Sequence, residues 1–219
     1  MSMISTLKQI PLFSGLSDQE LAHVEASATA KTYAKGTVII NEGDAGSSMF
    51  LVMHGKVKVY VSDASGKEYI LAILGPGEYV GELALLDDEP RTASVETEDQ
   101  STFLVIQKDD FLSLLHDHPP IQRKLLLNLA RRSRSLTEAV KNLALKDVYS
   151  RVRLLFEDLA VERDGQILIE EPMTQQAIAD RVGSSREMVA RIMKELVFGG
   201  YVRIDNRRLV ILQKFPDAF

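Results

Sequence analysis

The stretch from Gly81 to Val95 reads GELALLDDEPRTASV and combines a glycine, a short helix-forming run and an arginine that precedes β-forming residues. Gly81 lets the backbone approach a bound molecule closely, because it has no Cβ atom. Residues 82–86 are predicted to form a single helical turn whose free N–H groups favour an anion. Arg91 is predicted to start a strand in the mouth of a β-barrel, where its guanidinium would pair with a phosphate.

The residues of this stretch alone leave two interpretations open. In the first, Glu82 accepts a ribose hydroxyl and Arg91 binds one phosphate, so that the two form a pocket for a phosphorylated sugar. In the second, they form a structural ion pair within a turn. An enzymatic alternative takes Asp87, Asp88 and Glu89 as a metal-binding cluster together with Glu82, but neither a histidine nor a nucleophile accompanies them. We therefore expect no enzyme activity and no metal site.

The segments on either side of this stretch are predominantly β-forming. Between residues 30 and 107, short β-rich runs alternate with turns that contain Gly, Asp, Asn or Ser. The runs are Thr37–Ile40, Met49–Met53, Lys56–Val61, Tyr69–Leu74, Ala93–Glu96 and Thr102–Gln107. Many short strands with regular turns are typical of a sandwich or barrel. Residues 5–28, before them, are predicted to form short helices with a capping box at Ser17 and Glu20.

A long helix is predicted after the β-rich segment. A short helix starts at Asp109 and ends before the pair Pro119-Pro120, because proline does not continue a helix. The longer helix that follows has an apolar seam at heptad positions a and d, with one polar interruption. The seam residues are Leu126, Leu129, Ser133, Leu136, Val140 and Leu143. Such a seam predicts a two-helix contact in a C2 dimer, and the alternative is that it packs on the chain's own β domain.

The C-terminal part contains a predicted helix–turn–helix. Residues 147–170 are predicted to be mainly helical, with a break at 163–165. The segment from Gln175 to Ile192 then reads QQAIADRVGSSREMVARI, in which Gly183 permits a left-handed turn and Ser185 caps the second helix. Its shared core is predicted to consist of Ile178, Val182, Val189 and Ile192, with the small Ala179 at the helix crossing. This geometry is typical of DNA-binding motifs.

The second helix of this motif carries the candidate DNA-reading residues. Arg186, Glu187 and Arg191 lie at its leading end and on one face, where arginine suits guanine and glutamate suits the cytosine amino group. The alternative is a surface ion pair between Glu187 and Arg191. A two-stranded wing is predicted next, and its tip carries Arg207 and Arg208 as candidate phosphate contacts.

Charge is distributed unevenly over the 219 residues, although the net charge is only −5. Residues 1–119 carry 8 Lys/Arg against 18 Asp/Glu, residues 120–145 carry a net +5, and residues 181–214 carry another net +5. The pattern therefore predicts an acidic body with a basic tip rather than a protein that binds nucleic acid non-specifically. The absence of cysteine excludes disulfides, cysteine-ligated zinc, thiolate-bound iron–sulfur clusters and a cysteine nucleophile. With neither a secretory signal nor a transmembrane run, a cytoplasmic location and no membrane partner are expected.

The two motifs, in this order, resemble the Crp/Fnr family of bacterial transcriptional regulators. The resemblance covers nearly the whole chain, from Ile39–Tyr60 through GELALL and PRTASV to the recognition helix Ser184–Ile192. It implies an α+β fold. The three parts would be an N-terminal cyclic-nucleotide-binding β-roll of jelly-roll type over 1–119, a long dimerisation helix and hinge over 120–145, and a C-terminal winged helix–turn–helix over 146–219.

The resemblance also implies roles for individual residues. Glu82 would bind the ribose 2′-hydroxyl and Arg91 the cyclic phosphate, with help from Gly81, from Thr92 and from the backbone near Leu83 and Ala84. Leu136 and Thr137 would occupy the positions that face the base. At the other end, base reading by Arg186, Glu187 and Arg191 implies palindromic double-stranded DNA with TGTGA-like half-sites. The residues near DNA phosphates would be Thr174, Gln176 and Ser185. Regulation would proceed through contact with RNA polymerase.

The effector is expected to be cyclic AMP or cyclic GMP, and no other cofactor is expected. Leu136 cannot hydrogen-bond a base edge, whereas Thr92 after Arg91 is similar to domains selective for cyclic GMP. A different effector such as cyclic di-GMP, or no effector, is the alternative. The absence of cysteine argues against iron–sulfur sensing. Haem sensing would have to rely on the four histidines, which are His23, His54, His116 and His118.

Overall fold

The computed structural model describes residues 7, 8, 10–205 and 208–217. The chain folds into two compact units. Residues 1–61 and 70–134 belong to the first, and residues 62–69 and 135–219 belong to the second.

Among the described residues of the N-terminal part, eight short strands dominate. They are β1 (Ala28–Tyr33), β2 (Val38–Ile40), β3 (Ser48–His54), β4 (Val57–Ser62), β5 (Glu68–Leu74), β6 (Tyr79–Val80), β7 (Ser94–Thr97) and β8 (Ser101–Gln107). They form two four-stranded sheets, with the strand orders β1-β8-β3-β6 and β2-β7-β4-β5. The predicted sandwich is therefore confirmed. The sequence analysis missed β1 and the two-residue strand β6.

Alternation along β3 divides the core of the first unit into two clusters. Met49 and Leu51 pack in one cluster, together with the helical residues. Phe50 and Val52 lie in the other, with the inward side chains of both sheets. Successive side chains of a strand point to opposite faces, and here both faces of β3 are buried. The strand therefore reads as a continuous apolar run.

The helices of the first unit flank the sheets. They are α1 (Asp18–Ala26), α2 (Leu83–Leu86), α3 (Lys108–Asp117) and α4 (Pro119–Leu145), of which α4 ends in the second unit. The predicted capping box is confirmed at α1, where the Ser17 hydroxyl accepts from the backbone N–H of Glu20 and the Glu20 carboxylate accepts from that of Ser17. The boundary at Pro119-Pro120 also lies where predicted.

The long helix α4 has two apolar stripes. Ile121 and Leu125 are buried in the core of the first unit, and Leu129 packs against the same cluster. Leu126 and Val140 are instead 65% and 64% exposed. Leu129 is partly buried against the core of its own unit, as the alternative held for the whole seam, and the role of the seam residues in a dimer stays a prediction.

The second unit contains the remaining helices and a small sheet. Its elements are α5 (Val148–Leu159), β9 (Val161–Arg163), β10 (Gln166–Ile169), α6 (Gln175–Val182), α7 (Arg186–Phe198), β11 (Val202–Asp205) and β12 (Arg208–Ile211). The sheet order is β11-β12-β10-β9. Residues 161–169 form a hairpin rather than helix, because Asp164 and Gly165 both adopt positive φ in a two-residue turn. Within the described part of the chain, no helix is both long and apolar enough to span a membrane.

Candidate functional site

The short helix α2 packs on the core through two buried side chains, and a charged residue directly precedes it. Ala84 and Leu85 are buried, and Glu82, which precedes the helix with helical dihedral angles, is only 1% exposed. Gly81 has a φ of +89°, in the left-handed region that favours glycine. The predicted single helical turn is therefore confirmed. It holds a carboxylate inside the protein.

Arg91 lies beside this helix with its guanidinium buried. The side chain is 8% exposed. One terminal nitrogen donates to the carbonyl of Gly81 at 2.5 Å and the other to the carbonyl of Ser48 at 2.6 Å. Burial lowers the pKa of Arg91, and the negative charges of Glu82 and Asp44 oppose this shift. Arg91 lies in the loop before β7, which begins at Ser94, so the prediction that it starts a strand was wrong.

Two glycines make room for this guanidinium. A Cβ atom on Gly81 would lie 2.6 Å from a terminal nitrogen of Arg91. A Cβ atom on Gly46 would lie 2.5 Å from the Cβ of Ala84 and 3.3 Å from the guanidinium carbon. The loop that contains Gly46 is also tied to the backbone of Arg91, since the Arg91 N–H donates to Asp44 and its carbonyl accepts from Gly43. The sequence analysis missed the role of Gly46.

The ion-pair partner of Glu82 is Arg132 on α4. The two side chains are 2.8 Å apart, and a second Arg132 nitrogen donates to the carbonyl of Tyr79. The guanidinium also lies 4.9 Å from the centre of the Tyr79 ring, within the range of a cation–π contact. The alternative of a Glu82–Arg91 ion pair was therefore wrong. The sequence analysis did not identify Arg132 as part of this site.

Burial perturbs the titration of the groups around this contact. It raises the pKa of Glu82, while the charges of Arg132 and, more weakly, Arg91 oppose the shift. Burial likewise raises the pKa of Tyr79 to about 12, helped by the negative charge of Glu82. The Glu82 carboxylate is therefore held in a desolvated position, where a hydroxyl donor would compensate for lost water.

The other residues predicted for this site differ in exposure. Ala84 is buried under Gly46, whereas Leu83 and Thr92 are exposed. Leu136 and Thr137 lie on α4, within the part of that helix that belongs to the second unit. The structure thus brings Gly81, Glu82, Ala84 and Arg91 together.

The helix–turn–helix is formed by α6 and α7, with the predicted turn at Gly183 and cap at Ser185 and a further cap at Thr174. Gly183 ends α6 with a φ of +65°, and a Cβ atom there would lie 2.9 Å from Leu143. The hydroxyls of Thr174 and Ser185 cap α6 and α7 by accepting from the N–H groups of Ala177 and Met188. The predicted core is confirmed as buried, and its members are Ile178, Ala179, Val182, Val189 and Ile192.

The candidate DNA-reading side chains are exposed on α7. Arg186, Glu187 and Arg191 all face solvent. Among the described residues, neither Glu187 nor Arg191 forms an ion pair, so the alternative of a surface pair between them was wrong. Hydrogen bonds with its own backbone and with Ser185 lower the pKa of Glu187. The glutamate is therefore an acceptor at neutral pH.

The candidate phosphate contacts have neighbours within the motif. Gln176 donates to Asp180 one turn later on α6, at 2.8 Å. Arg208 starts β12 and pairs in register with Asp205 across the wing. Arg207 lies outside the described residues. In the part of the chain that the structure covers, no three His, Asp or Glu side chains cluster as a metal site would require.

Comparisons with known proteins match both parts of the chain. Residues 30–118 match the cyclic nucleotide-binding domain, and residues 150–214 match the Crp-like helix-turn-helix domain. A sensor domain of this kind followed by a helix–turn–helix defines a transcriptional regulator.

The relatives agree with this division. The chain is 31% identical over 198 residues to the cyclic AMP receptor protein of Thermus thermophilus, covering 90% of each chain. It is 29% identical over 213 residues to a CRP-like cAMP-activated global transcriptional regulator of Mycobacterium tuberculosis, covering 95% of each. The solved structure of the c-di-GMP responsive regulator CLP of Xanthomonas campestris shares the fold, with a TM-score of 0.79 at 24% identity over 90% of this chain and 100% of that chain. This protein belongs to the Crp/Fnr family of transcriptional regulators.

Proposed function

We propose that the β-roll binds a cyclic mononucleotide, cyclic AMP or cyclic GMP, and that the bound protein recognises palindromic duplex DNA. The proposal rests on the burial and the hydrogen bonds of the Arg91 guanidinium. Its guanidinium is buried and bonded only to carbonyl oxygens, and it forms no carboxylate ion pair within the described residues. A desolvated cation of this kind favours an anion such as a cyclic phosphate.

Glu82 supports the sugar part of this proposal. Its buried carboxylate uses one oxygen for Arg132, and a carboxylate has further lone pairs that can accept from a ribose hydroxyl. Thr92, and the backbone near Leu83 and Ala84, would complete the phosphate contacts. The names of the relatives from T. thermophilus and M. tuberculosis favour cyclic AMP among the two nucleotides.

Cyclic di-GMP is the second candidate effector. Leu136 favours it, because this side chain lacks any polar atom for an adenine edge, whereas the neighbouring Thr137 retains one hydroxyl. The structural neighbour from X. campestris is described as responsive to this dinucleotide. A β-roll that binds no effector is the remaining alternative.

Calorimetric titration of the purified protein with cyclic AMP, cyclic GMP and cyclic di-GMP tests the effector proposal. Saturable binding of one mononucleotide with a stoichiometry near one per chain is expected. Binding of cyclic di-GMP alone would replace the main proposal with the second candidate. Absence of heat with all three would refute an effector of this class.

The DNA part of the proposal rests on the exposed end of α7. Arg186, Glu187 and Arg191 would read base edges in TGTGA-like half-sites, while Arg208 and Arg207 would contact phosphates. Thr174, Gln176 and Ser185 would lie near the backbone of the duplex. Activity in the cytoplasm and contact with RNA polymerase complete the proposal. The ligand would act by shifting the population between two dimer states.

A homodimer through α4 is part of the same proposal. Leu126, Leu136 and Val140 are 65%, 48% and 64% exposed on one helix, and such exposed apolar side chains at heptad spacing favour a second copy of the helix. Leu136→Asp is expected to yield monomers in sedimentation velocity, since it buries a charge in the seam. Ser135→Asp, next to it on the same helix, is the matched control. Dimers that persist in Leu136→Asp would contradict the seam.

A further inference from the structure

Tyr79 packs in the core of the first unit, three residues before Glu82 in the chain. It begins β6, where it pairs in register with Leu51 of β3, while Val80 pairs with Phe50. Alternation along the strand places Tyr79 in the core cluster that contains residues of α4, and Val80 in the other cluster. The Tyr79 side chain is 3% exposed. Packing therefore fixes its ring beside the long helix.

Tyr79 holds the Arg132 guanidinium of α4 through two contacts. The carbonyl of Tyr79 accepts from one terminal nitrogen, and the centre of the Tyr79 ring lies 4.9 Å from the guanidinium carbon. The other terminal nitrogen donates to Glu82 at 2.8 Å. An arginine side chain loses much rotamer freedom when it is ordered, so these contacts with Tyr79 favour the one position from which Arg132 reaches Glu82.

The hydroxyl group of Tyr79 takes no part in this arrangement. It is buried, and it has no hydrogen-bond partner among the residues that the structure describes. A buried hydroxyl without a partner destabilises the folded state. The aromatic ring, rather than the polar group, is therefore what this side chain contributes to the site.

Arg132 in turn affects the carboxylate of Glu82. Burial raises the pKa of Glu82, and the positive charge of Arg132 is the strongest effect that opposes this rise. The Arg132 side chain is itself 30% exposed, so without the ring it would be free to turn into solvent. The Glu82 carboxylate would then be less strongly ionised and less firmly oriented, and it would accept a hydrogen bond less well.

We propose that Tyr79 is a positioning residue for sugar recognition, whose ring holds Arg132 against Glu82 and thereby sets the preference for a ribose 2′-hydroxyl. The inference rests on the proposed function, in which Glu82 accepts from that hydroxyl and Arg91 binds the phosphate. Tyr79 acts on the sugar only through Arg132. Because Arg132 belongs to α4, recognition of the sugar is linked to the long helix that is proposed to form the dimer.

Calorimetry with cyclic AMP and 2′-deoxy cyclic AMP measures this preference in the full-length protein. The two ligands differ only in the hydroxyl that is assigned to Glu82. If the unchanged protein selects cyclic GMP, the corresponding pair of guanine nucleotides is used. A hydrogen bond to a charged group corresponds to a factor of about 10 to 150 in affinity. The unchanged protein is therefore expected to prefer the ribose form at least about tenfold.

Tyr79→Leu removes the ring and keeps the carbonyl. The preference is expected to fall at least about threefold, since a cation–π contact corresponds to a factor of about 2 to 30. Tyr79→Phe keeps the ring and is expected to retain the preference. Tyr60→Leu is a second control, because the Tyr60 ring lies 4.5 Å from the ammonium nitrogen of Lys58 on β4. It is expected to change both affinities by the same factor.

A double-variant cycle tests whether Tyr79 acts through Arg132. Arg132→Gln alone is expected to reduce the preference, and adding Tyr79→Leu to it is expected to reduce the preference no further. A second measurement needs no ligand. The Tyr79 ring current should shift the Nε–H resonance of Arg132 in ¹H–¹⁵N spectra, and this shift should persist in Tyr79→Phe but disappear in Tyr79→Leu. Circular dichroism melting shows whether each variant is folded.

Three results would overturn the inference. The first is an unchanged sugar preference in Tyr79→Leu. The second is an equal loss in Tyr79→Phe, which would assign the role to the hydroxyl. The third is a further loss in the double variant, which would make Tyr79 independent of Arg132.

Failure of the proposed function gives different results, both of them in the unchanged protein. Absence of cyclic mononucleotide binding would remove the proposed function and this inference together. Equal binding of the ribose and deoxyribose forms would remove the sugar contact of Glu82 and with it the role of Tyr79. The phosphate contact of Arg91 would then still stand on its own test.

Discussion

The β-roll and the helix–turn–helix use arginine in opposite ways. Arg91 is buried, and its guanidinium donates to the carbonyls of Gly81 and Ser48. Arg186 and Arg191 are exposed on α7. The first arrangement provides a desolvated charge at one fixed point, where electrostatic interactions are strong. The second leaves hydrated side chains that can adapt to base edges.

This difference indicates which structural constraint determines the selectivity of each site. Close packing constrains the β-roll site, because a Cβ atom on Gly81 would lie 2.6 Å from the Arg91 guanidinium and one on Gly46 would lie 2.5 Å from the Cβ of Ala84. In the helix–turn–helix the constraint is on the backbone instead. Thr174, Gly183 and Ser185 fix the helix ends, while the side chains that are proposed to read bases extend outward. Substitutions should therefore act through desolvation in one region and through base discrimination in the other.

The largest effect is expected from Arg91→Ala. Removal of a buried, hydrogen-bonded charge partner costs about 2–5 kcal/mol, so cyclic nucleotide affinity should fall at least about 30-fold in calorimetry. Some loss of stability is also expected, because the carbonyls of Gly81 and Ser48 lose their donor. Arg134→Ala, an exposed arginine on α4, is the control. Unchanged nucleotide affinity in Arg91→Ala would remove the phosphate assignment.

Arg186→Ala should affect one base position. The expected cost is about 1–3 kcal/mol for the preferred base there, with little change for duplexes already altered at that position. Arg208→Ala should instead weaken all duplexes alike and reduce the salt slope by about 1, as a phosphate contact does. Fluorescence anisotropy over a set of singly substituted half-sites distinguishes the two. A uniform loss in Arg186→Ala would make Arg186 a phosphate contact.

Gly46→Ala tests close packing in the β-roll. The new methyl group would lie 2.5 Å from the Cβ of Ala84, so the loop must shift. Overpacking of this kind costs about 1–3 kcal/mol, and urea unfolding should show it together with weaker nucleotide binding. Gly75→Ala, where nothing lies within 4 Å of the added atom, is the matched control. Equal free energies of unfolding of the two variants would show that the loop containing Gly46 shifts at little cost and would contradict the overpacking argument.

Glu82→Gln should give the smallest effect, visible as a dependence on pH. Burial raises the pKa of Glu82, so the folded state binds its proton more tightly than the unfolded state does. The carboxyl group therefore favours folding at low pH, and this contribution is lost as pH rises from the ordinary glutamate value through the raised one. Glu82→Gln has no carboxyl group to titrate and does not lose this contribution. The free energy of unfolding of the variant, minus that of the unchanged protein, should therefore increase as pH rises across that window. A difference that is constant with pH would contradict the desolvation argument.

Local signals were sufficient to predict much of both regions. The capping box at Ser17, the cap at Ser185 and the left-handed turn at Gly183 are encoded by neighbouring residues, and the structure confirms each of them. The burial of the helix–turn–helix core follows from apolar spacing alone. The confirmed strands of the sandwich were predicted for the same reason, from alternation and turn residues.

Contacts between distant residues were not predictable in this way. Arg132 pairs with Glu82 across 50 positions of sequence, and no pattern on α4 distinguishes it from the neighbouring Arg131 and Arg134. Leu129 fits a heptad position of an apolar seam and also packs against the core of the first unit. The spacing of apolar residues along α4 does not reveal this second contact, which depends on tertiary packing. The β9–β10 hairpin was missed because its strands are only three and four residues long.

The central claim, that ligand binding in the β-roll controls DNA binding, is tested most directly by measuring both affinities in one thermodynamic cycle. The affinity for a palindromic duplex is measured with and without saturating cyclic nucleotide, and the nucleotide affinity with and without the duplex. The account predicts that both change by the same factor, of roughly 5- to 150-fold. Equal DNA affinity in the presence and absence of bound nucleotide would contradict it.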